Sequence, residues 1–290
     1  MSFDLITNIT LVSYDTIDGI TLHGALIKSN KKNKTIVIHE HGMESSFYRG
    51  SSVNALITLA KKGEFDLFST NNRGTGIITK FFKKNKKIIA GTAHEKFEES
   101  IYDIDAAIKL VKKLGYKKII LSGHSTGCQK ITYYQSIKKY NLIKGLILLA
   151  PADDYSTNKK ILGKNFKKAI TLAKKMVEKG KGDEIMTKYV AHSANRFLSY
   201  AKKGMIEAEL FNYEGNLKLF STIKTPILAI FGSKEEYVYK KSPKQMLDTL
   251  KEFTNSNLFM SAVIKDATHN FTKKEKKLEK TITNFVTLIK

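Results

Sequence analysis

The chain has 290 residues, enough for one large α/β domain, and sets 50 Lys and Arg against 27 Asp and Glu for a formal charge of +23. Its single cysteine, Cys128, leaves no intramolecular disulfide and no thiolate metal cluster. No apolar run approaches the ~18 residues of a membrane span, and the opening M-S-F-D-L lacks the basic and apolar regions of a signal peptide, so a soluble, cytoplasmic protein is expected. The positive charge is almost all lysine, with arginine only at Arg49, Arg73 and Arg196. Lysine suits a solvated surface and arginine suits bidentate phosphate and base contacts, so no specific nucleic-acid partner is expected. The densest basic stretch, K-F-F-K-K-N-K-K over 80–87, is the candidate for an anionic contact.

In chain order, strand-like runs over 9–14 and 20–28 flank the turn residues D-T-I-D-G and predict a hairpin. A short apolar strand over 35–39 leads into H-E-H-G-M-E-S-S. A helix over 52–62, a strand over 65–70 and the loop N-N-R-G-T-G-I follow. Over 95–114 the stripe Phe97, Ile101, Ile104, Ala107, Ile108 and Val111 predicts an amphipathic helix. Buried strands are expected over 119–122, 143–150, 226–232 and 257–264, with a helix over 126–140 and a closing helix over 273–289. Strands that read as continuous apolar runs and alternate with helices imply a mainly parallel sheet covered on both faces. The exception is 152–225, which has no convincing strand and helical segments over 164–178, 183–191 and 194–202. It reads as a helical cap inserted in a single domain of 1–290; the alternative is a helical excursion packed elsewhere.

The centre of the chain is 117–129, K-K-I-I-L-S-G-H-S-T-G-C-Q. Here G-x-S-x-G stands at a strand-to-helix turn, the context in which the string carries chemistry. A serine at so tight an apex has a strained backbone, and only glycine fits comfortably two residues before and after it. The competing reading is the glycine-rich turn of a nucleotide-binding protein, but neither G-x-G-x-x-G nor G-x-x-x-x-G-K is present.

A serine hydroxyl needs a base to take its proton and an acid to orient that base. Downstream of Ser125 only His192 and His269 qualify as bases. His192 falls in the insertion, whereas His269 lies in D-A-T-H-N-F, after the last strand, where a base can reach Ser125. Glu235, in G-S-K-E-E-Y-V, is the favoured acid, with Glu236 its neighbour expected to face solvent; Asp153 and Asp154 in P-A-D-D are the rivals. Two N–H donors are needed for the oxyanion, and Thr126 and Met43 are the candidates. His39 and His41, two apart on a strand, could suggest a zinc pair, but no third ligand is evident.

With H-G-M, N-N-R-G, G-H-S-T-G, G-S-K-E-E-Y-V and D-A-T-H-N-F, the chain resembles the α/β-hydrolase superfamily over nearly its full length. Within it, G-H-S-T-G-C-Q and A-N-R-F-L-S-Y-A look like a little-characterised esterase-like branch with fungal and plant members. The resemblance implies an α/β-hydrolase fold and a triad of Ser125, Glu235 and His269, with Met43 and Thr126 as oxyanion donors. The chain departs from the usual pattern in having Glu rather than Asp as the acid and Tyr239 where proline is usual. The expected activity is that of a carboxylesterase or lipase-like serine hydrolase on a small-molecule carboxylic ester, with no metal or organic cofactor. Thioesterase, amidase or acyltransferase chemistry on the same triad, or a non-catalytic binding protein using the basic surface, are the alternatives.

Overall fold

The computed structural model describes residues 9–289; the opening M-S-F-D-L lies outside the described residues. In chain order the strands are β1 (Ile9–Asp15), β2 (Thr21–Ile27), β3 (Thr35–Glu40), β4 (Asp66–Thr70), β5 (Thr79–Lys83), β6 (Lys86–Ala90), β7 (Lys118–His124), β8 (Ile143–Leu149), β9 (Ile227–Gly232) and β10 (Phe259–Ile264). Eight of them form one sheet in the order β1-β2-β4-β3-β7-β8-β9-β10, while β5 and β6 make a separate hairpin. The β1–β2 and β2–β4 pairs are antiparallel and the rest of the large sheet is parallel. Every residue of β4 and β9 is buried, so both faces of the sheet are covered, which is why these strands read as unbroken apolar runs.

The helices are α1 (Ser51–Lys61), α2 (Ser100–Lys113), α3 (Thr126–Lys138), α4 (Asp154–Leu162), α5 (Phe166–Glu178), α6 (Ala194–Ala201), α7 (Ile206–Leu210), α8 (Pro243–Phe253) and α9 (Glu275–Ile289). Helix α1 packs on α9, and α2 on α3. Helix α3 is buried around its whole circumference from Thr126 to Ser136, because α2 and α7 cover what the sheet does not. It is therefore not amphipathic, and two of its largest polar side chains have partners: Tyr134 donates to Asp105 at 2.6 Å and Lys130 to the buried Glu95 at 2.6 Å.

Between β8 and β9 the chain runs through α4, α5, α6 and α7, which build a small apolar core of their own around Phe166, Ala173, Met186 and Phe197. The segment 183–191 is not the expected helix. After one turn Met186 N–H donates to His192 O at 2.9 Å, closing an isolated bridge between Ile185 and Ser193 that folds the chain back. Helices α4 and α8 went unread, although each carries a start signal. Asp153 caps α4 by accepting from Ser156 N–H, and Ser242-Pro243-Lys244-Gln245 forms a capping box with proline in the first turn.

One buried polar chain ties the insertion to the sheet. Arg196 of α6 binds both oxygens of Glu207 on α7 and reaches Glu95 at 3.1 Å. Glu95 also accepts from Lys130 of α3, Lys130 donates to Asn72 Oδ1 at 2.9 Å, and Asn72 donates to Glu40 Oε2 at 3.0 Å. Thr70 donates to the other Glu40 oxygen at 2.8 Å. Burial opposes the charge on Glu95, but Lys130 and Arg196 outweigh it and hold its carboxyl below the ordinary value. The loop N-N-R-G serves this network. A Cβ on Gly74 would stand 2.3 Å from the Glu95 carboxylate, and Arg73 turns the other way to Asp103, Asp18 and Glu99.

Two predictions follow from this chain. Arg196→Met leaves Glu95 and Glu207 buried with too little positive charge, and should cost about 3–5 kcal/mol in urea unfolding; a loss under ~1 kcal/mol would show that the network is not holding the insertion. At its other end, burial pushes Glu40 from 4.5 up to about 7. A folded-state pKa above the unfolded one means that the carboxyl favours folding fully only below pH 4.5, and that this contribution is lost as pH rises through about 7. Glu40→Gln can still accept from Asn72 and donate to Thr70 Oγ1. Relative to the parent it should therefore gain stability between pH 5 and 8, on the order of 3 kcal/mol. A difference that stays flat over that range would show that Glu40 does not titrate there.

Candidate active site

Strand β7 delivers the chain to a turn at Ser125, whose φ of 52° and ψ of −126° lie outside the region that a serine ordinarily occupies. Such a residue stores on the order of 1–3 kcal/mol of strain, which the flanks must hold. A Cβ on Gly123 would lie 2.4 Å from the backbone carbon of Gly127, and one on Gly127 would lie 2.2 Å from Glu40 O. Helix α3 thus backs directly onto β7 and β3, and both glycines of the motif are required by contact. Ser125 N–H is anchored on Leu149 O at 2.9 Å, and Ser125 O accepts from Cys128 N–H at 2.8 Å. Cys128 is wholly buried beneath this turn, and burial raises its thiol pKa well above the ordinary value.

The loop after β3 passes against the serine, since a Cβ on Gly42 would meet Ser125 Cβ at 2.9 Å. This puts the backbone of Met43 beside Ser125, while its side chain packs into the apolar cluster of the insertion. Thr126 N–H is the first donor of α3 and points out of the helix start. Among the described residues, neither the Met43 nor the Thr126 N–H has a hydrogen-bond partner.

His269 sits between β10 and α9, buried to 5 % exposure. Its Nδ1 lies 2.7 Å from Glu235 Oε1, so the ring proton stands on that side and Nε2 is the basic nitrogen. Glu236 is exposed, as expected, yet its carboxylate accepts the backbone N–H of His269 at 2.7 Å. The two neighbouring glutamates therefore hold the ring and the backbone of one histidine. Glu235 Oε1 also accepts from Tyr237 N–H at 3.1 Å, and its Oε2 is buried without a partner among the described residues. The Tyr237 ring meets the imidazole edge to face at 4.5 Å between centroids. The loops that carry Glu235 and His269 touch at Gly232, where a Cβ would stand 2.2 Å from Ala267 O.

His124, between Gly123 and Ser125 in the motif, has no role assigned from the sequence. Its Nε2–H donates to His269 O at 2.9 Å, and burial, then the nearby His269, push its pKa down to about 3. It is a neutral donor that fixes the loop of His269 from below.

Ser125, Thr126, Met43 and His269 all line one cavity of about 800 Å³, together with Asp154, Thr157, Ile161 and His192 of the insertion. No hydrogen bond joins Ser125 to His269 among the described residues, a spacing common in sites without substrate. Glu235 lines no part of the cavity and lies behind the imidazole. The rival acids are engaged elsewhere: Asp153 caps α4, and Asp154 accepts from Gln129 at 2.8 Å. His192 uses both ring nitrogens, with Tyr200 OH at 2.7 Å and Glu44 at 3.2 Å. His39 and His41 do not converge; His39 faces Ser122, while His41 bonds Gly42 O and Thr75. Among the described residues no cluster of three or more His, Cys, Asp or Glu is placed to hold a metal ion.

The structure is similar to the siderophore hydrolase EstB of Aspergillus fumigatus, with a TM-score of 0.72 at 15 % identity, covering 99 % of this chain and 100 % of that one. It is also similar to Est1E of Butyrivibrio proteoclasticus with ferulic acid bound, at TM-score 0.66, 17 % identity and coverage of 96 % and 99 %. A third similar structure is the Pyrococcus furiosus esterase Pf2001, at TM-score 0.61, 18 % identity and coverage of 97 % and 91 %. At these identities the likeness establishes the fold, which is the α/β-hydrolase fold. A UPF0613 protein of Schizosaccharomyces pombe is 29 % identical over 181 residues, covering 53 % of this chain, and the match spans 57 % of that relative's length. Residues 91–290 match the family described as "Protein of unknown function (DUF1749)", and the chain belongs to that family.

Proposed function

We infer that the protein is a serine hydrolase that cleaves a carboxylic ester through an acyl-enzyme. The observation that carries this reading is the imidazole of His269, oriented by Glu235 at 2.7 Å, in a cavity shared with the strained Ser125. Esterases among the structures that share the fold add support.

In the proposed reaction Ser125 Oγ attacks the acyl carbon as His269 Nε2 takes its proton. Glu235 accepts from Nδ1–H and stabilises the imidazolium that results. The oxyanion receives hydrogen bonds from the N–H groups of Met43 and Thr126, which have no other partner among the described residues to give up. His269 then gives its proton to the leaving alkoxide. Water then adds to the acyl carbon as it loses a proton to the same nitrogen; the acyl–Oγ bond breaks, His269 returns that proton to Ser125 Oγ, and the acid leaves. The insertion acts as a cap in this scheme: it roofs the cavity, and through Met43 it fixes the loop that bears one oxyanion donor. Each step uses groups of the chain itself.

A fluorophosphonate should label Ser125 alone, and Ser125→Ala should abolish labelling and lower kcat on an aryl ester by ~10⁴ to 10⁶ while the melting temperature is kept. Labelling that survives the substitution would sink the assignment of the nucleophile. The two candidate acids separate cleanly. Glu235→Gln should lower kcat ~10² to 10⁴ with little change in KM, because orientation and charge stabilisation act mainly in the transition state. Asp153→Asn should cost less than ~10-fold in kcat, since its side chain caps α4 and does not touch His269. The opposite ranking would move the acid to the loop after β8.

A further inference from the structure

The hairpin β5–β6 is a sheet of its own beside β2, and neither strand lines the cavity. The sequence has no acidic residue between Asp66 and Glu95, yet Lys80, Lys83, Lys84, Lys86 and Lys87 fall within eight positions. Register decides which way each side chain goes. Lys80 pairs with Ile89 and Phe82 with Lys87, so these four share one face, while Phe81 and Ile88 share the other. Phe81 belongs to the main core and Ile88 packs against it, which makes the first face the outward one. Ile78 lies in the bend just before β5. Ile78, Phe82 and Ile89 are 58, 55 and 61 % exposed, an apolar group that nothing among the described residues covers.

The cations around this face are uncommitted. Lys83 has Asp18 at 3.5 Å, but among the described residues Lys80, Lys84, Lys86 and Lys87 form no ion pair. Lys87 Nζ lies 5.7 Å from the centre of the Phe82 ring. The hairpin tip abuts the β1–β2 turn, where Lys84 N–H donates to Gly19 O at 2.8 Å and Ile17 is itself exposed.

We propose that the outward face of β5–β6 docks the protein on an anionic phospholipid membrane. Ile78, Phe82 and Ile89 enter the headgroup boundary, and Lys80 and Lys87 of this face, with Lys84 and Lys86 exposed at the hairpin tip, meet the lipid phosphates and carboxylates. Aliphatic and aromatic side chains interleaved with unpaired lysines match a surface that is apolar below and negative at its rim. A nucleic acid fits less well. The hairpin has no arginine, its isoleucines cannot stack on bases, and phosphate contacts alone would leave them in water. The proposal does not depend on the hydrolase reading, although the base of the hairpin is tied to the cavity loop by Gly76 N–H on Ser45 O at 3.0 Å.

The test uses the full chain and vesicles of phosphatidylcholine with or without phosphatidylserine. The chain has no tryptophan, so Phe82→Trp at an exposed site supplies a single reporter. Its emission should shift to the blue with phosphatidylserine vesicles and stay unchanged with phosphatidylcholine alone; no shift with either overturns the proposal. In co-sedimentation, Phe82→Ser with Ile89→Ser should weaken binding roughly 10-fold or more, and Gln at Lys80, Lys84, Lys86 and Lys87 should abolish it. Gln at Lys164, Lys167, Lys168 and Lys174 of the insertion removes the same charge elsewhere and should leave most binding intact. If that control loses as much as the hairpin variant, diffuse charge does the binding and the proposal fails. It fails equally if the serine pair binds like the parent, or if duplex DNA at the same salt binds more tightly than vesicles and loses that binding with the hairpin lysines.

Discussion

A buried carboxylate must find a cation or give up its charge, and in this protein that demand holds the insertion to the sheet and its helices. Glu95 lies at the junction, with Lys130 of the sheet-packed α3 on one oxygen and Arg196 of the insertion on the other. Neither cation could stay buried without it, and Arg196 further requires Glu207. An apolar seam would have tolerated the insertion in several neighbouring positions. A row of paired charges tolerates one, because any slip leaves a charge without its partner in a low-dielectric interior. The same row ends at Glu40, whose carbonyl lies against Gly127, so the position of the insertion and the shape of the turn at Ser125 are fixed by one set of contacts.

The candidate site is assembled from the ends of parallel strands. β3 contributes Gly42 and Met43, β7 contributes Ser125, β9 contributes the two glutamates and β10 contributes His269. Each loop is held by a contact to another: Gly42 on Ser125, Gly232 on Ala267, His124 on the carbonyl of His269. Glu235 and Glu236 show how adjacent residues of one type can have different work, since one orients a ring and the other fixes the backbone that carries it.

Much of this was legible in the residues. The buried parallel strands announce themselves as apolar runs, and the α/β architecture follows from their alternation with helices. The glycines at 123 and 127 mark a turn by steric need, which a single chain can display without comparison. The misses have physical causes. The hairpin β5–β6 places its apolar residues in the doublets F-F and I-I, one of each pair facing in and one out, so it reads as a charge run and not as alternation. The segment 183–191 has helical spacing, but its hydrogen bonds go across to 192–193. Partners far apart in sequence were invisible: nothing local says that Arg196 meets Glu95, or that His192 is taken up by Tyr200 and Glu44.

Cys128 has a consequence of its own. It is the one thiol in the chain, it is wholly enclosed under the serine turn, and it points its sulfur at Gly123 O and Leu149 O, 3.1 and 3.3 Å away. Enclosure also keeps it protonated, and only the thiolate reacts with an alkylating agent. Iodoacetamide can therefore reach it only when α3 lifts from β7 and β8. With no other sulfhydryl to add background, the rate of alkylation in the native protein counts those openings, and the chain carries its own clock for how often its strained turn comes apart.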